Sequence, residues 1–160
     1  MWDKFGEFNS ATEINEAAAG QKEQGDKEAL LILAKENGID KEDVEDYMDG
    51  VMPFLCTVVT AALGKLKVEA ADVKLIGIEL DWYEYIKQLA MEEPKIGENI
   101  RKKDKSLIGC MGKLFKWGAD NMQPVDNRIV EAAHIAGLKN AKEGTPDMAT
   151  AKDIIRKYYA

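Results

Sequence analysis

The chain has 160 residues, 46% hydrophobic and 32% charged, with a formal net charge of −7, a composition that excludes a disordered polyelectrolyte and a membrane-embedded protein. The charge is unevenly spread: residues 1–50 hold 14 Asp/Glu against 5 Lys/Arg, a net of −9, and residues 51–160 hold 15 Asp/Glu against 17 Lys/Arg, a net of +2. An acidic surface of this kind repels nucleic acid and steers toward basic surfaces, and Met1-Trp2-Asp3-Lys4-Phe5 lacks the basic start and apolar run of a secretory signal, so the expectation is a cytoplasmic protein.

Helix punctuation recurs along the chain. Ser10-Ala11-Thr12-Glu13 is a capping box that opens a helix over 11–23, stopped at Gly25. Asp26 caps a second helix with Leu30, Leu31, Leu33 and Ala34 inward, ended by Asn37-Gly38. Asp40 opens a third, Lys41 to Met48, in which Glu42, Asp43, Glu45 and Asp46 surround Val44, Tyr47 and Met48 before Asp49-Gly50. A calcium loop fails here, because an EF-hand wants Gly at its sixth position and Glu at its twelfth, and counting from Asp40 gives Glu45 and Met52. These carboxylates read as an acidic, solvated face.

The longest apolar stretch, Val51 to Leu63, has 13 residues, short of the roughly 20 of a bilayer span. It reads as a buried core helix with Pro53 in its first turn, although Thr57-Val58-Val59-Thr60 would also suit a short strand. Beyond a loosened region at Val73–Gly77, Ile78, Trp82, Tyr85, Ile86 and Leu89 predict an amphipathic helix with an aromatic core stripe. Pro94 starts another with Ile96 and Ile100, Lys102-Lys103-Asp104-Lys105 marks a turn, and Ser106 opens a helix through Asp120. Its apolar side holds Leu107, Cys110, Met111, Leu114, Trp117 and Gly118, while Lys105, Lys113 and Lys116 form a ridge opposite. Asp126 caps a helix from Ile129 to Ala136, and Thr145-Pro146 opens the last, striped by Met148, Ala151, Ile154, Ile155, Tyr158 and Tyr159. The pattern predicts an all-α fold, a compact domain of about 7–9 short helices. It divides into an acidic N-terminal subdomain (1–50) and a helical core (51–160), with a seam at Gly50 to Pro53.

Chemistry is sparse. The single histidine, His134, and the distant Cys56 and Cys110 make a poor zinc set, and both cysteines read as small buried thiols in apolar helical runs. Gly64-Lys65 and Gly112-Lys113 are only fragments of a phosphate loop. Gly109 and Gly112, each costing a helix about 1 kcal/mol relative to Ala, point to close helix approach or a backbone contact. No catalytic group, cofactor or metal site is read from these residues. The seven cations Lys95, Arg101, Lys102, Lys103, Lys105, Lys113 and Lys116 stand against Glu98 and Asp104, a local charge of +5. This island reads as an internal counterpart to the acidic helices or a solvated face, or else as a phosphate-binding patch through Arg101, Lys102, Lys103, Lys105, Lys113 and Lys116.

Several stretches resemble the PcfK-like family of Firmicutes phages and conjugative elements. They are Phe8-Asn9-Ser10, Leu33 to Asp40, Asp46 to Gly50 and Arg101 to Cys110, the last containing a Lys105-Ser106-x-x-x-Cys110 core followed by an amphipathic helix. The family includes inhibitors of type II CRISPR RNA-guided nucleases. The ending Ile154-Ile155-Arg156-Lys157-Tyr158-Tyr159 departs from the acidic ending associated with these proteins. The resemblance implies a non-enzymatic, anti-CRISPR protein of a mobile element that binds a host nuclease, with Glu42, Asp43, Glu45, Asp46 and Asp49 meeting its arginines and lysines. Two other readings stand beside it. One is a nucleic-acid-binding accessory of plasmid transfer or phage replication using the basic patch. The other is a structural module that dimerises through the Trp82–Tyr85 stripe.

Overall fold

The computed structural model describes residues 2–160 and is all-α, with nine helices among the described residues. In chain order these are α1 (Ala11–Glu23), α2 (Lys27–Glu36), α3 (Lys41–Met48), α4 (Val58–Asp72), α5 (Ile78–Glu92), α6 (Pro94–Arg101), α7 (Leu107–Asp120), α8 (Asn127–Ala132) and α9 (Met148–Tyr159). One short antiparallel bridge, β1 (Gln123–Pro124) with β2 (Lys142–Glu143), pairs Gln123 with Glu143 and was not expected from the sequence. Among the described residues no helix is long and apolar enough to cross a membrane.

Most predicted caps are in place. Ser10, Asp26, Ser106 and Asp126 each accept a backbone N–H at the start of their helices. Three boundaries differ from expectation. The apolar run from Val51 does not begin a helix: residues 51–55 form a bend, and α4 starts at Val58 because the Thr57 hydroxyl caps it by accepting the Thr60 N–H. Pro53 therefore lies outside the helix, and Cys56 sits in the connecting segment rather than in a helical run. The segment after Asp126 stays helical only to Ala132, and His134 has φ +52°, a left-handed conformation that ends the turn. The last helix begins later than Thr145-Pro146 suggests, because the Asp147 carboxylate takes the Thr150 N–H.

Buried apolar side chains gather in two clusters. The first joins Ile14, Ala18, Leu30, Leu33, Ala34, Ile39, Val44 and Tyr47 from α1–α3 to Leu55, Cys56 and Ala61. The second runs from Ala62 and Leu66 through Trp82, Ile86, Leu89, Ile100, Leu107, Cys110 and Leu114 to Ile155 and Tyr159. The two cores part within α4, between Ala61 and Ala62, so one helix serves both. Close approach of α2 to α4 requires two glycines. A Cβ on Gly64 would lie 2.1 Å from the Asn37 carbonyl oxygen, and Gly38, at φ +67°, ends α2 directly against the Gly64 backbone.

A charged group lies at this junction. Lys65, fully buried, donates to the carbonyls of Lys102 and Lys105 (both 2.7 Å) and pairs with the Glu7 carboxylate at 2.7 Å, so its three protons are used. Glu69, one turn on, accepts the Leu107 N–H at 2.8 Å. The chain before α1 acts as a strap: the Glu36 carboxylate collects the backbone N–H groups of Asp3, Lys4 and Phe5, and Asn9 Oδ1 accepts the Lys103 N–H. At the other end, three groups hold the last turn of α9. Asn99 Nδ2 donates to the Tyr159 carbonyl, Lys105 Nζ donates to the Tyr158 carbonyl, and the Tyr158 hydroxyl accepts the Ser106 N–H. Two of these satisfy carbonyls that a helix C-terminus leaves without intrahelical partners.

Lys65→Met would leave two buried carbonyls and the Glu7 carboxylate without their partner, and is expected to cost about 3–5 kcal/mol in urea unfolding. Burial pushes the Glu69 carboxyl above its ordinary range, more than the Leu107 N–H and Lys65 draw it down. A carboxyl raised on folding contributes its full stability below the unfolded value, near pH 4, and loses it as pH rises through the folded value. Glu69→Gln keeps the acceptor for Leu107, so its unfolding free energy should match the parent at low pH and exceed it increasingly toward neutral pH.

Candidate protein-binding face

The acidic residues singled out in the sequence lie on and just beyond α3, and helical geometry sorts them. At 100° per residue, Val44, Tyr47 and Met48 fall on one side and Glu42, Asp46 and Asp49 on the other, with Asp43 and Glu45 on the flanks. The burial agrees: Val44 and Tyr47 are in the first core, Asp43 and Glu45 are half-buried, and Glu42, Asp46 and Asp49 are exposed. The cations nearby are already engaged. Lys41 pairs with Glu45 at 3.1 Å, and Lys67 of α4 pairs with Asp40 at 2.8 Å. Lys22 of α1 donates to the Tyr47 carbonyl and lies 4.3 Å from the centre of its ring. Glu42, Asp43, Asp46 and Asp49 make no ion pair among the described residues.

Two of these carboxylates work against their own helix. Asp46 belongs to the last turn of α3 and Asp49 is its C-cap, with no basic residue in that turn. The partial negative charge of a helix C-terminus disfavours carboxylates there by about 0.3–1 kcal/mol each. The acidic face is thus a surface not optimised for the stability of its own helix.

The basic island is dispersed by the fold. Arg101 is 1% exposed and donates to Asn37 Oδ1 at the end of α2, which corrects its assignment as a phosphate contact. Burial lowers its pKa, opposed chiefly by the charge of Glu7, and its Nε and Nη1 find no hydrogen-bond acceptor. Lys105 is half-buried against the Tyr158 ring and carbonyl, so it leaves the expected outer ridge. Lys116 pairs with Asp120 and Lys95 with Glu98. Lys102, Lys103 and Lys113 remain exposed without an ion pair among the described residues. Lys113 and Lys116 lie one turn apart on α7. The unpaired carboxylates thus share α3 and its cap, and the unpaired cations are divided between the 102–103 turn and α7.

Other sequence candidates resolve as packing. Gly109 lets Tyr158 lie on α7, since a Cβ there would meet its hydroxyl at 2.3 Å, whereas Gly112 faces open space. Trp82 is buried in the second core, and Tyr85 accepts a hydrogen bond from Arg156 Nε, so the aromatic stripe is occupied within the chain. Two grooves escaped the sequence reading. One, of about 520 Å³, lies between α1 and the 53–58 segment beside Tyr47. The other, of about 510 Å³, lies between α5 and α7, with Trp82, Met111, Phe115 and Met122 in its wall. Exposed Phe54 and Phe115 contribute to them and are visible in the sequence only as ordinary apolar residues.

His134 is exposed beyond α8, and among the described residues no three His, Cys, Asp or Glu side chains converge to hold a metal ion. Burial pushes the Cys56 and Cys110 thiols up to about 12. Comparison with known proteins finds no matching family model, no matching curated protein and no matching solved structure. With pKa values about four units above pH 8, roughly one thiol in 10⁴ is ionised there. Both cysteines should resist a thiol-specific disulfide reagent in the native protein and react fully once it is unfolded; prompt native labelling would contradict their burial.

Proposed function

We propose that this chain is a non-enzymatic binding protein that inhibits an RNA-guided nuclease, presenting the α3 face to a basic channel that otherwise holds nucleic acid. The observation that carries the reading is the contrast between the two charged regions. The carboxylates Glu42, Asp46 and Asp49 are exposed and unpaired on one short helix and its cap, whereas of the seven candidate cations Arg101 is buried, Lys105 is half-buried, Lys95 and Lys116 are paired, and Lys102, Lys103 and Lys113 alone stay exposed and unpaired, on the α6–α7 turn and on α7. A surface with uncompensated negative charge is attracted to arginine- and lysine-lined grooves and repelled by phosphate. The heteroduplex channel of such nucleases is positively charged. The PcfK-like resemblance supplies the class of partner, and the charge arrangement is consistent with it.

Replacing Glu42, Asp46 and Asp49 by Lys should reduce inhibition of guided DNA cleavage at least tenfold, while thermal unfolding shows stability near the parent's, because relief of the C-terminal repulsion at Asp46 and Asp49 offsets the loss of Glu42 from the first turn of α3. Replacing Lys102, Lys103 and Lys113 by Glu should leave inhibition near the parent level. Full inhibition by the acidic-face variant would defeat the mimicry mechanism. Salt-sensitive capture of a labelled duplex by the parent protein, lost in the lysine variant, would transfer the function to nucleic-acid binding.

A further inference from the structure

The bend that follows α3 exposes apolar side chains on a fixed backbone. Val51 is 69% exposed, Met52 44% and Phe54 62%, although the next two residues, Leu55 and Cys56, are buried. Both ends of the segment are tied. The N–H groups of Val51 and Met52 share the Asp46 carbonyl at 2.9 and 3.2 Å, after Gly50 turns the chain at φ +78°. At the far end Cys56 and Asn15 exchange two hydrogen bonds, Cys56 N–H to Asn15 Oδ1 at 3.0 Å and Asn15 Nδ2 to the Cys56 carbonyl at 2.9 Å. Val51, Met52 and Phe54 are therefore held outward by backbone geometry, and three exposed apolar residues of this size within four positions mark a candidate interaction surface.

Beside the bend lies the groove of about 520 Å³, with Phe54, Tyr47, Ala19 and Val58 in its apolar wall and Glu16 on its border. Carboxylates stand on the α1 and α3 side of the bend, while the exposed Lys102 borders the neighbouring pocket that shares Ala11, Thr12 and Val58 with the groove. Glu16, Asp46 and Asp49 make no ion pair among the described residues, and the nearest α1 cation, Lys22, is spent on Tyr47. Apolar anchors with unpaired carboxylates on the α1 and α3 side match an occupant that carries basic groups on that side, and they disfavour nucleic acid and anionic lipid there.

We infer that the Val51–Phe54 bend and its groove form the apolar centre of a docking surface for a protein segment that carries apolar side chains flanked by lysines or arginines. The inference rests on the reading of α3 as a partner-binding face and adds a component to it. The carboxylates steer the partner, and the bend supplies contacts that salt does not screen.

The test uses a fluorescent helical peptide with leucines on one face and lysines on the other, and a twin with glutamates in place of the lysines. The lysine peptide should bind the parent protein in preference to its twin, and its amide NMR perturbations should centre on Val51, Met52, Phe54 and Tyr47. Val51→Ser with Phe54→Ser, at exposed positions that leave the core intact, should lose tenfold or more in affinity at low and high salt alike. Asp46→Lys with Asp49→Lys should lose affinity mainly at low salt. No preference between the peptides, perturbations centred on the α5–α7 groove, or unchanged binding by the Val51/Phe54 variant would each overturn the inference. A parent protein that binds the peptide at the bend but leaves a guided nuclease fully active would defeat the proposed nuclease target alone.

Discussion

A single ammonium group, that of Lys65, holds three parts of the molecule in register. It is withdrawn from water completely, so every proton it carries must find an acceptor inside, and the acceptors come from the strap before α1 and from both ends of the 102–105 turn. Desolvating a charge is costly, and an apolar side chain of equal volume with apolar partners can be as stable. What the ion contributes here is position. The turn between α6 and α7 is clamped through its carbonyls, which leaves the side chains of Lys102 and Lys103 outside. Arg101, one residue earlier, is drawn inward to Asn37 and the neighbouring carboxylates, and it joins the same junction from the other side.

Much of the fold was legible because helices announce their ends locally. Ser10, Asp26, Ser106 and Asp126 cap helices through bonds to residues two or three positions away, within reach of any reading of spacing. Where the start of a helix depends on distant atoms, the reading failed. Nothing near Cys56 says that Asn15, 41 positions away, will occupy its backbone groups. A mostly apolar run then looks like a core helix from Val51 onward, although the Thr57 cap lies within it. The alanines after Val130 offered no stop signal either, and His134 ends that turn by conformation rather than by residue type. The change in charge at residue 50 and the change of core between Ala61 and Ala62 do not coincide, because charge partitions the surface and packing partitions the interior.

The same distinction governs the site. The sequence fixes the sign of each side chain but not its destination. Arg101 and Lys102 are neighbours in one basic run, yet one is buried and the other exposed. A signal was present: Gly97, Ile100 and Arg101 share a helical face, so the stripe that buries Ile100 also carries the guanidinium inward. Lys65 and Glu69 likewise continue the stripe Ala61, Ala62, Leu66, and a reading by position rather than by polarity would have placed both inside. On α3 the charged residues instead oppose or flank the apolar ones: Glu42, Asp46 and Asp49 are solvated as their spacing suggests, while Asp43 and Glu45 are half-buried.

The clasp on the last turn of α9 has a consequence for how the chain is made. Ser106 and Tyr158 are 52 positions apart, which at ribosomal speeds of 5–20 residues per second is about 3–10 s of elongation. The apolar side chains of the first core all lie at or before Ala61 and are complete well before that interval begins. Through those seconds Lys105 has no α9 carbonyl to grip and the Ser106 amide no phenol to meet, so the second core lacks its closing element. The acidic half can thus collapse around its own apolar residues while the basic turn is still unclasped.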